Sequence, residues 1–222
     1  FEDSGGLAIG DDAPAHDPDD VVAAARTVVD HSVRTSHPRF MNQNFAGADP
    51  VAVAGDWLSA ALNTATTTFE IAPVFHLMEA TLLTKLARLA GYPVATPGGA
   101  TPEPLPPGLF CAGGSMATLY ALQLARHRLQ PDLVTVGAGP EPLAVFVSAS
   151  GHYATGKSSA LLVLGTDAVI AVEAAADGAM APGALCAAGQ LAPEAGRAAL
   201  AVGGTAGTTC LLYTSDAADD TL

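Results

Sequence analysis

The chain has 222 residues, of which 50% are hydrophobic, enough for one domain with a sizeable core or for a domain with an extension. Its formal net charge is −13, but ten of the 22 acidic residues lie near the two ends, and the remaining twelve nearly balance the nine lysines and arginines. Because the body of the chain has no basic stripe to neutralise phosphates, we exclude nucleic acid as a partner.

Three helices are predicted in the first part of the chain. Residues 1–17 are rich in Gly, Asp and Pro without hydrophobic periodicity, which predicts a disordered lead-in. An acidic cap at Asp17 and a proline in the first turn predict a helix that ends near Ser36. Two further helices are predicted over 50–62 and 71–89, and the second carries apolar residues at three- and four-residue spacings that define one buried face.

The Pro- and Gly-rich residues 92–108 indicate a boundary in the chain. We interpret 18–91 as an N-terminal helical segment, 92–108 as a linker and 109–209 as the main domain, in which short apolar strands alternate with helices. The predicted strands are 109–111, 143–147, 168–172 and 198–202, and the predicted helices are 115–129, 152–164 and 182–188. This alternation predicts an α/β layered fold with a mainly parallel sheet, whose ligands lie beyond the carboxyl ends of the strands.

A glycine pair and a serine, Gly113, Gly114 and Ser115, stand between the first predicted strand of that domain and its helix. Such a turn directs backbone N–H groups at an anion, so a phosphate is one predicted ligand. A glycine pair before a helix is also common turn chemistry without any ligand, and this loop alone does not separate the two interpretations.

Two other predicted strand ends lie at the same edge of the sheet. His152 follows strand 143–147, and the glycine- and hydroxyl-rich residues 203–209 follow strand 198–202. A histidine at the start of a helix can simply be solvated, but parallel strands bring these loops and Ser115 to one crevice. The crevice is therefore predicted to hold a cofactor, with the His152 imidazole facing it.

Other kinds of site do not fit the residue pattern. The six histidines and three cysteines show no metal-ligand spacing, so no metal is predicted. The loops carry neither the Gly-x-Ser-x-Gly elbow of a hydrolase nor the Gly-Lys pair of a nucleotide-binding P-loop. Widely spaced cysteines indicate a reducing compartment, and no apolar run is long enough for a membrane helix, so we expect a cytoplasmic protein without a membrane partner.

Several motifs, in order along the chain, resemble one enzyme family. They are Ser36 to Gln43 (SHPRFMNQ), Asn63-Thr64, Phe69 to Glu79 (FEIAPVFHLME), Phe110 to Ser115 (FCAGGS), His152-Tyr153 with Lys157, Leu164 to Asp167 (LGTD) and Gly207-Thr208-Thr209. This set resembles the group II pyridoxal-phosphate-dependent amino-acid decarboxylases, with the glutamate and cysteine sulfinate decarboxylases as the nearest branch. The resemblance covers residues 20–209. It implies that 109–209 are the first part of an aspartate-aminotransferase-like large domain (fold type I), preceded by N-terminal helices.

The resemblance also implies a site for pyridoxal 5′-phosphate. Gly113, Gly114 and Ser115 fall where the family holds the cofactor phosphate, in agreement with the anion-binding turn. His152 falls where the family stacks a catalytic imidazole on the pyridine ring, and Thr209 falls where it has a hydroxyl beside the cofactor.

Substrate contacts are implied at other positions. Asn42 and Gln43 fall where the family approaches the substrate carboxyl group. The chain departs from the nearest branch at Thr118, where that branch has Asn, and at Ala65 and Thr67, which replace a polar and an aromatic side chain. We therefore expect an acidic or small substrate, such as glutamate, aspartate or cysteine sulfinate, and the sequence leaves the choice open.

The implied reaction is decarboxylation of an L-amino acid by an enzyme that is a homodimer at full length. Such an enzyme needs a lysine that binds the cofactor covalently and an acid at the pyridine nitrogen, and the family places both after the end of this chain. Of the two lysines, Lys85 and Lys157, the second matches a family position other than the covalent lysine. We therefore expect the fragment to be inactive. The alternatives are another enzyme of the same cofactor fold, such as an aminotransferase or lyase, and a non-catalytic scaffold.

Residues 210–222 depart from the family pattern and resemble the translation of a transposase adapter used in sequencing libraries. We interpret them as a non-native tail that should be excluded from fold reasoning. A genuine terminus rich in Thr, Ser and Asp is the alternative.

Overall fold

The computed structural model describes residues 17–41, 47–94, 108–137, 139 and 141–205. It divides the chain into two compact units, 1–73 and 74–222, which are described separately. The predicted lead-in, linker and non-native tail lie wholly or mostly outside the described residues, so those domain limits stay predictions.

The N-terminal unit contains two helices that begin as predicted. Helix α1 spans Pro18–His31 and helix α2 spans Pro50–Leu62. Each has a proline in its first turn and an aspartate cap, since Asp17 accepts the N–H of residue 19 and Asp49 accepts the N–H groups of residues 51 and 52. Helix α1 ends before the predicted Ser36 because the backbone turns extended at residue 32.

Helix α3 spans Pro73–Leu89 and begins two residues after its predicted start. The prediction that its spaced apolar residues form a buried face is wrong for this structure. Five of the six side chains are exposed, and Phe75 is half-buried; the exposed five are Val74, Met78, Leu82, Leu86 and Leu89. Periodicity determines which side chains share a helix face, whereas burial also requires an element that covers the face.

The predicted strand at 109–111 is absent from the structure, because Leu109 and Phe110 are exposed and pair with no strand among the described residues. Short apolar runs carry little periodicity, which explains the error. The chain enters helix α4, Gly114–Leu129, directly after this segment, and a short helix α5, Leu133–Val136, which was not predicted, follows.

The sheet has three parallel strands in the order β2-β1-β3. Strand β1 is Leu143–Ser148, β2 is Val169–Val172 and β3 is Ala198–Gly203, all close to their predicted positions. Val145 of the central strand lies opposite Val169 on one side and Ala201 on the other. The described part of the chain thus confirms the prediction of an α/β unit with a parallel sheet.

Two helices and a 3₁₀ turn connect the strands. Helix α6 is Ala154–Leu161, a 3₁₀ turn covers Thr166–Ala168, and helix α7 is Pro182–Glu194. Helix α6 is shorter than the predicted 152–164, whereas α7 continues six residues past the predicted end at 188. One face of β1 packs on α7 through a core of Ala144, Phe146, Val172 and Ala192.

Helix α4 packs against helix α6 on the other side of the sheet unit. The Arg126 guanidinium fixes this arrangement, because it donates to the carbonyl oxygen of Leu162 at 2.6 Å and to the side-chain oxygen of Gln123 at 2.7 Å. The packing sets the N-terminus of α4 beside the start of α6, near the carboxyl end of β1.

Candidate functional site

A cavity of about 690 Å³ opens at the carboxyl edge of the parallel sheet. Three segments surround it: the first turns of α4, the loop and first turn after β1, and the loop after β3. Its wall is apolar at Leu122, Val145 and Val147, and its polar lining includes Ser115, Thr118, His152, Thr155 and Thr205. The predicted crevice is therefore present in the sheet unit, but it lies at two strand ends and the N-terminus of α4, because the strand expected before α4 is absent.

The N-terminus of α4 offers backbone donors to this cavity. The first helical hydrogen bond runs from the N–H of Ala117 to the carbonyl oxygen of Gly113 at 3.1 Å, so the preceding N–H groups have no partner within the helix. Gly113 has a φ of +115°, which L-residues with a side chain rarely adopt. Gly114 and Ser115 follow on the cavity wall, where the helix dipole favours an anion.

A tight turn after β1 places His152 at the same cavity. The Gly151 N–H donates to the carbonyl oxygen of Ser148 at 2.8 Å, and the Ser150 N–H donates to the Ser148 hydroxyl at 3.2 Å. A Cβ at position 151 would lie 2.9 Å from that same carbonyl oxygen, closer than real Cβ atoms come. A side chain at position 151 would therefore force a shift in the turn that delivers the imidazole.

The hydrogen bonding of His152 defines which ring nitrogen carries the proton of the neutral imidazole. Its Nδ1 accepts the backbone N–H of Ala154 at 3.1 Å. In the neutral ring the proton is consequently on Nε2, which we assign from this contact. His152 is exposed at the cavity, and its ring centroid lies 4.0 Å from that of Tyr153, with the two planes inclined by 31°.

Hydroxyl groups line other parts of the cavity. The Thr118 hydroxyl donates to the carbonyl oxygen of Gly114 at 2.9 Å, which turns it back onto its own helix. Thr155 lies in the first turn of α6, three residues after His152, and was missed by the sequence reasoning. Thr205 lies in the predicted hydroxyl-rich loop after β3 but was not singled out there.

Of the predicted site residues, the structure brings Gly114, Ser115 and His152 to one cavity, and Gly113 immediately precedes this group. The other predicted site residues, Thr209, Asn42 and Gln43, lie outside the described residues, and their roles stay predictions. Within the described ranges, no group of three or more His, Cys, Asp or Glu residues could hold a metal ion. No helix in the same ranges has the length and apolar character to cross a membrane.

Comparison with known protein families connects this geometry with a cofactor. The model of the pyridoxal-dependent decarboxylase conserved domain matches residues 8–213 of the chain. The chain belongs to the pyridoxal-dependent decarboxylase family. The match covers all the elements of the site and extends into the segment 210–222 that the sequence reasoning set apart as non-native.

Individual relatives within the family agree with this assignment. The chain is 42% identical over 192 residues to the cysteine sulfinic acid decarboxylase of Rattus norvegicus, covering 86% of this chain and 37% of the relative. Its sequence is 39% identical to that of the chain in the crystal structure of mouse CSAD. The two structures match with a TM-score of 0.81, and the match covers 91% of this chain and 40% of that one.

A more distant solved structure has the same fold. This is the glutamate decarboxylase domain of a diaminobutyrate-pyruvate transaminase and L-2,4-diaminobutyrate decarboxylase from Vibrio parahaemolyticus, which is 25% identical with a TM-score of 0.78, covering 93% of this chain and 44% of that one. The predicted fold, an incomplete fold type I domain preceded by helices, is confirmed. The chain spans 37% of the length of its rat relative.

The residues at the cavity fit pyridoxal phosphate, the cofactor of this family. The cofactor combines an anionic phosphate with a flat aromatic ring. The phosphate suits the N–H groups at the start of α4, where Gly113 and Gly114 have no side chain to obstruct it. The ring suits an apolar wall that includes Val145 and Val147, with the His152 imidazole at the same cavity.

Proposed function

We propose that this chain is the phosphate-binding part of a pyridoxal-phosphate-dependent decarboxylase, which releases the α-carboxyl group of an L-amino acid as carbon dioxide. The observation that carries the proposal is the convergence of the α4 N-terminus and His152 on one cavity, in a member of a pyridoxal-dependent family. The 42% identity to rat cysteine sulfinic acid decarboxylase supports the same reaction class.

Each cavity residue has a distinct task in this proposal. When bound, pyridoxal phosphate supplies an electron sink for the electron pair left behind as carbon dioxide departs. The backbone N–H groups of Gly114 and Ser115, with the Ser115 hydroxyl, hold the phosphate at the positive end of α4. His152 faces the cofactor ring and keeps a proton on Nε2, and the apolar wall excludes water.

For the substrate, we propose an acidic or small amino acid, with cysteine sulfinate, glutamate and aspartate as the candidates. Two of the relatives described above are named for cysteine sulfinate and glutamate decarboxylation. Within the cavity, Thr118 is the residue whose type departs from the nearest branch, and its hydroxyl is engaged by its own helix. A site with this threonine therefore presents a methyl group where an asparagine would present an amide.

The reaction is tested on the longest polypeptide that the gene encodes, purified with pyridoxal phosphate and supplied with each candidate amino acid in turn. We expect at least one to yield carbon dioxide and the matching amine in equal amounts. Formation of an oxo acid without carbon dioxide would identify an aminotransferase instead. If no product forms and the cofactor absorbance band is absent, the chain is a non-catalytic scaffold.

The phosphate contact is tested on the 222-residue chain by comparing two ligands, pyridoxal phosphate and pyridoxal. Replacing Ser115 by alanine should weaken the binding of pyridoxal phosphate by roughly 10- to 100-fold, because a hydrogen bond to a charged group contributes roughly 1.5–3 kcal/mol. The affinity for pyridoxal, which has no phosphate, should not change. Equal weakening of both ligands, measured by equilibrium dialysis, would show that Ser115 does not contact the phosphate.

We propose that the protein is a homodimer, as group II decarboxylases are expected to be. The support is in the N-terminal unit, where neither α1 nor α2 has a buried residue. Trp57, Leu58 and Leu62 are exposed on α2, and a second copy would remove them from water. Analytical ultracentrifugation of the longest encoded polypeptide should give a dimer, and Trp57→Ser should raise the monomer fraction. A monomer at micromolar concentration contradicts the proposal.

We also propose that the protein acts in the cytoplasm. Cys111 and Cys186 are free thiols in the described part of the chain, as a reducing compartment maintains them. Fractionation of the source cells with an antibody to the chain should recover it with cytoplasmic markers, and recovery from an oxidising compartment would refute this location.

A further inference from the structure

The start of helix α6 carries a stack of three side chains, of which His152 has a role at the site and Tyr153 and Lys157 have none so far. The His152 ring lies 4.0 Å from the Tyr153 ring, and the Lys157 ammonium nitrogen lies 4.2 Å from the centroid of the same tyrosine ring. Tyr153 and Lys157 are four residues apart, and the N–H of the lysine donates to the tyrosine carbonyl at 3.2 Å. One helical turn therefore brings the cation over the aromatic face.

Neither Tyr153 nor Lys157 is needed for the core. Tyr153 is 64% exposed and Lys157 is exposed, so their contacts with one another do not serve burial. An aromatic pair in an inclined arrangement is attractive, and a cation above an aromatic face is attractive as well. Both interactions involve the Tyr153 ring, which therefore connects the Lys157 ammonium to the imidazole.

The backbone holds the same imidazole from another direction. The N–H of Ala154 donates to Nδ1 at 3.1 Å, and this contact requires the ring to keep one orientation about its side-chain bonds. A surface imidazole held by a single hydrogen bond can rotate away at little cost. The contact with Tyr153 restricts that rotation, and the Lys157 ammonium restricts the tyrosine.

We propose that Tyr153 and Lys157 are positioning residues, which keep the His152 imidazole in one orientation and one tautomer at the cavity. Neither residue needs to touch the substrate or cofactor for this role. The inference rests on the proposed function, because the orientation matters there for facing the cofactor ring. It assigns a role to Lys157 that is separate from covalent binding of the cofactor.

The direct test is ¹⁵N NMR of the 222-residue chain labelled at histidine, without cofactor and with the imidazole in its neutral form. His152→Gln identifies the ring signals. The unchanged chain should show one tautomer, with Nδ1 unprotonated and Nε2 protonated. Tyr153→Ala and Lys157→Met should both shift these signals toward the average of two exchanging tautomers.

Conservative variants separate positioning from a general structural role. Tyr153→Phe keeps the aromatic ring and Lys157→Arg keeps the cation, so both should preserve the single-tautomer spectrum. Lys85→Met is the matched control, since Lys85 is the other lysine of the chain and lies on helix α3. This control should leave the His152 signals unchanged, and circular dichroism should be the same for every variant.

Cofactor affinity gives a second readout. Pyridoxal phosphate should bind roughly two- to tenfold more weakly to Tyr153→Ala, and roughly two- to fivefold more weakly to Lys157→Met. An unchanged tautomer in both variants overturns the inference, even if the unchanged chain binds the cofactor. If the unchanged chain does not bind the cofactor, the proposed function fails, whereas the NMR comparison still decides whether the stack positions His152.

Discussion

The N-terminal helices and the sheet unit both contain large apolar side chains, but the two regions bury them differently. Phe146 in strand β1 is 2% exposed, whereas Trp57 in helix α2 is 72% exposed. Strand β1 has a neighbouring strand on each edge and a helix packed on its face, and α2 has no buried residue. An apolar pattern thus becomes a core only where other elements of the same chain cover it.

Replacing one large apolar side chain in each region gives the largest expected difference in stability. Phe146→Ala should lower the free energy of unfolding by about 3–5 kcal/mol, because it removes a fully packed ring and leaves a cavity. Trp57→Ala removes a larger side chain but should change the stability of the monomer by less than about 1 kcal/mol. Urea denaturation followed by circular dichroism measures both. With the chain kept monomeric by dilution, similar losses would mean that other residues of the same chain cover α2.

Replacing one glycine in each region by alanine compares how their backbones tolerate a side chain. Gly151→Ala should destabilise the sheet unit by about 1–3 kcal/mol, since the new Cβ would meet the Ser148 carbonyl oxygen at 2.9 Å. Gly55→Ala in the middle of α2 meets nothing within 4 Å and should stabilise its helix by about 0.5–1 kcal/mol.

The same two glycine substitutions should also differ in their effect on cofactor binding. Gly151→Ala should weaken pyridoxal phosphate binding because it displaces His152, and Gly55→Ala should not. Thermal melts and cofactor titrations check the two variants together. A Gly151→Ala chain with unchanged stability and affinity would show that the turn after β1 can relax without consequence.

The sequence predicts the helices of the N-terminal unit and the three strands well, for a physical reason. The acidic cap at Asp17 and the continuous apolar run at 143–147 are local signals, which the sequence displays directly. The exposed face of α3 and the absent strand at 109–111 depend on which elements lie nearby, and local patterns do not contain that information.

The site shows the same division between local and non-local information. The anion-binding turn at Gly113 to Ser115 and the position of His152 follow from strand order and glycine chemistry. The tautomer of His152 and the cavity position of Thr155 depend on contacts in three dimensions. Neither could therefore be predicted from composition or residue spacing.

Two serines on helices give a smaller contrast. Ser159 on α6 is completely buried, and its hydroxyl has no hydrogen-bond partner among the described residues. Ser159→Ala should therefore stabilise the chain by about 1 kcal/mol, because it removes the cost of a buried, unpartnered polar group. Ser59→Ala on α2 removes an exposed hydroxyl bonded to the Gly55 carbonyl oxygen and should change the stability by less than about 0.5 kcal/mol. A destabilised Ser159→Ala chain, measured by urea titration, would contradict the assignment.

The smallest expected effects are at the helix ends. Val163 follows α6 with a φ of +59°, in the left-handed region that a β-branched residue tolerates poorly, while Asn63 ends α2 with a φ of +44°. Val163→Gly should stabilise the chain by about 0.5–1 kcal/mol, because relief of about 1–2 kcal/mol of strain exceeds the entropy cost of glycine. Asn63→Gly should have almost no effect, since asparagine accepts this conformation. Equal melting shifts would mean that Val163 is not strained.

The strand order β2-β1-β3 also has a consequence for synthesis. The central strand is the first of the three to leave the ribosome, so both of its edges stay open until residues 169–172 and 198–203 have emerged. Its sequence, LAVFVS, is uncharged and rich in β-forming residues, the type of segment that associates between chains. Nascent chains that stop before residues 169–172 emerge expose both edges of β1, and this is consequently the stage of synthesis at which the strand associates most readily between chains.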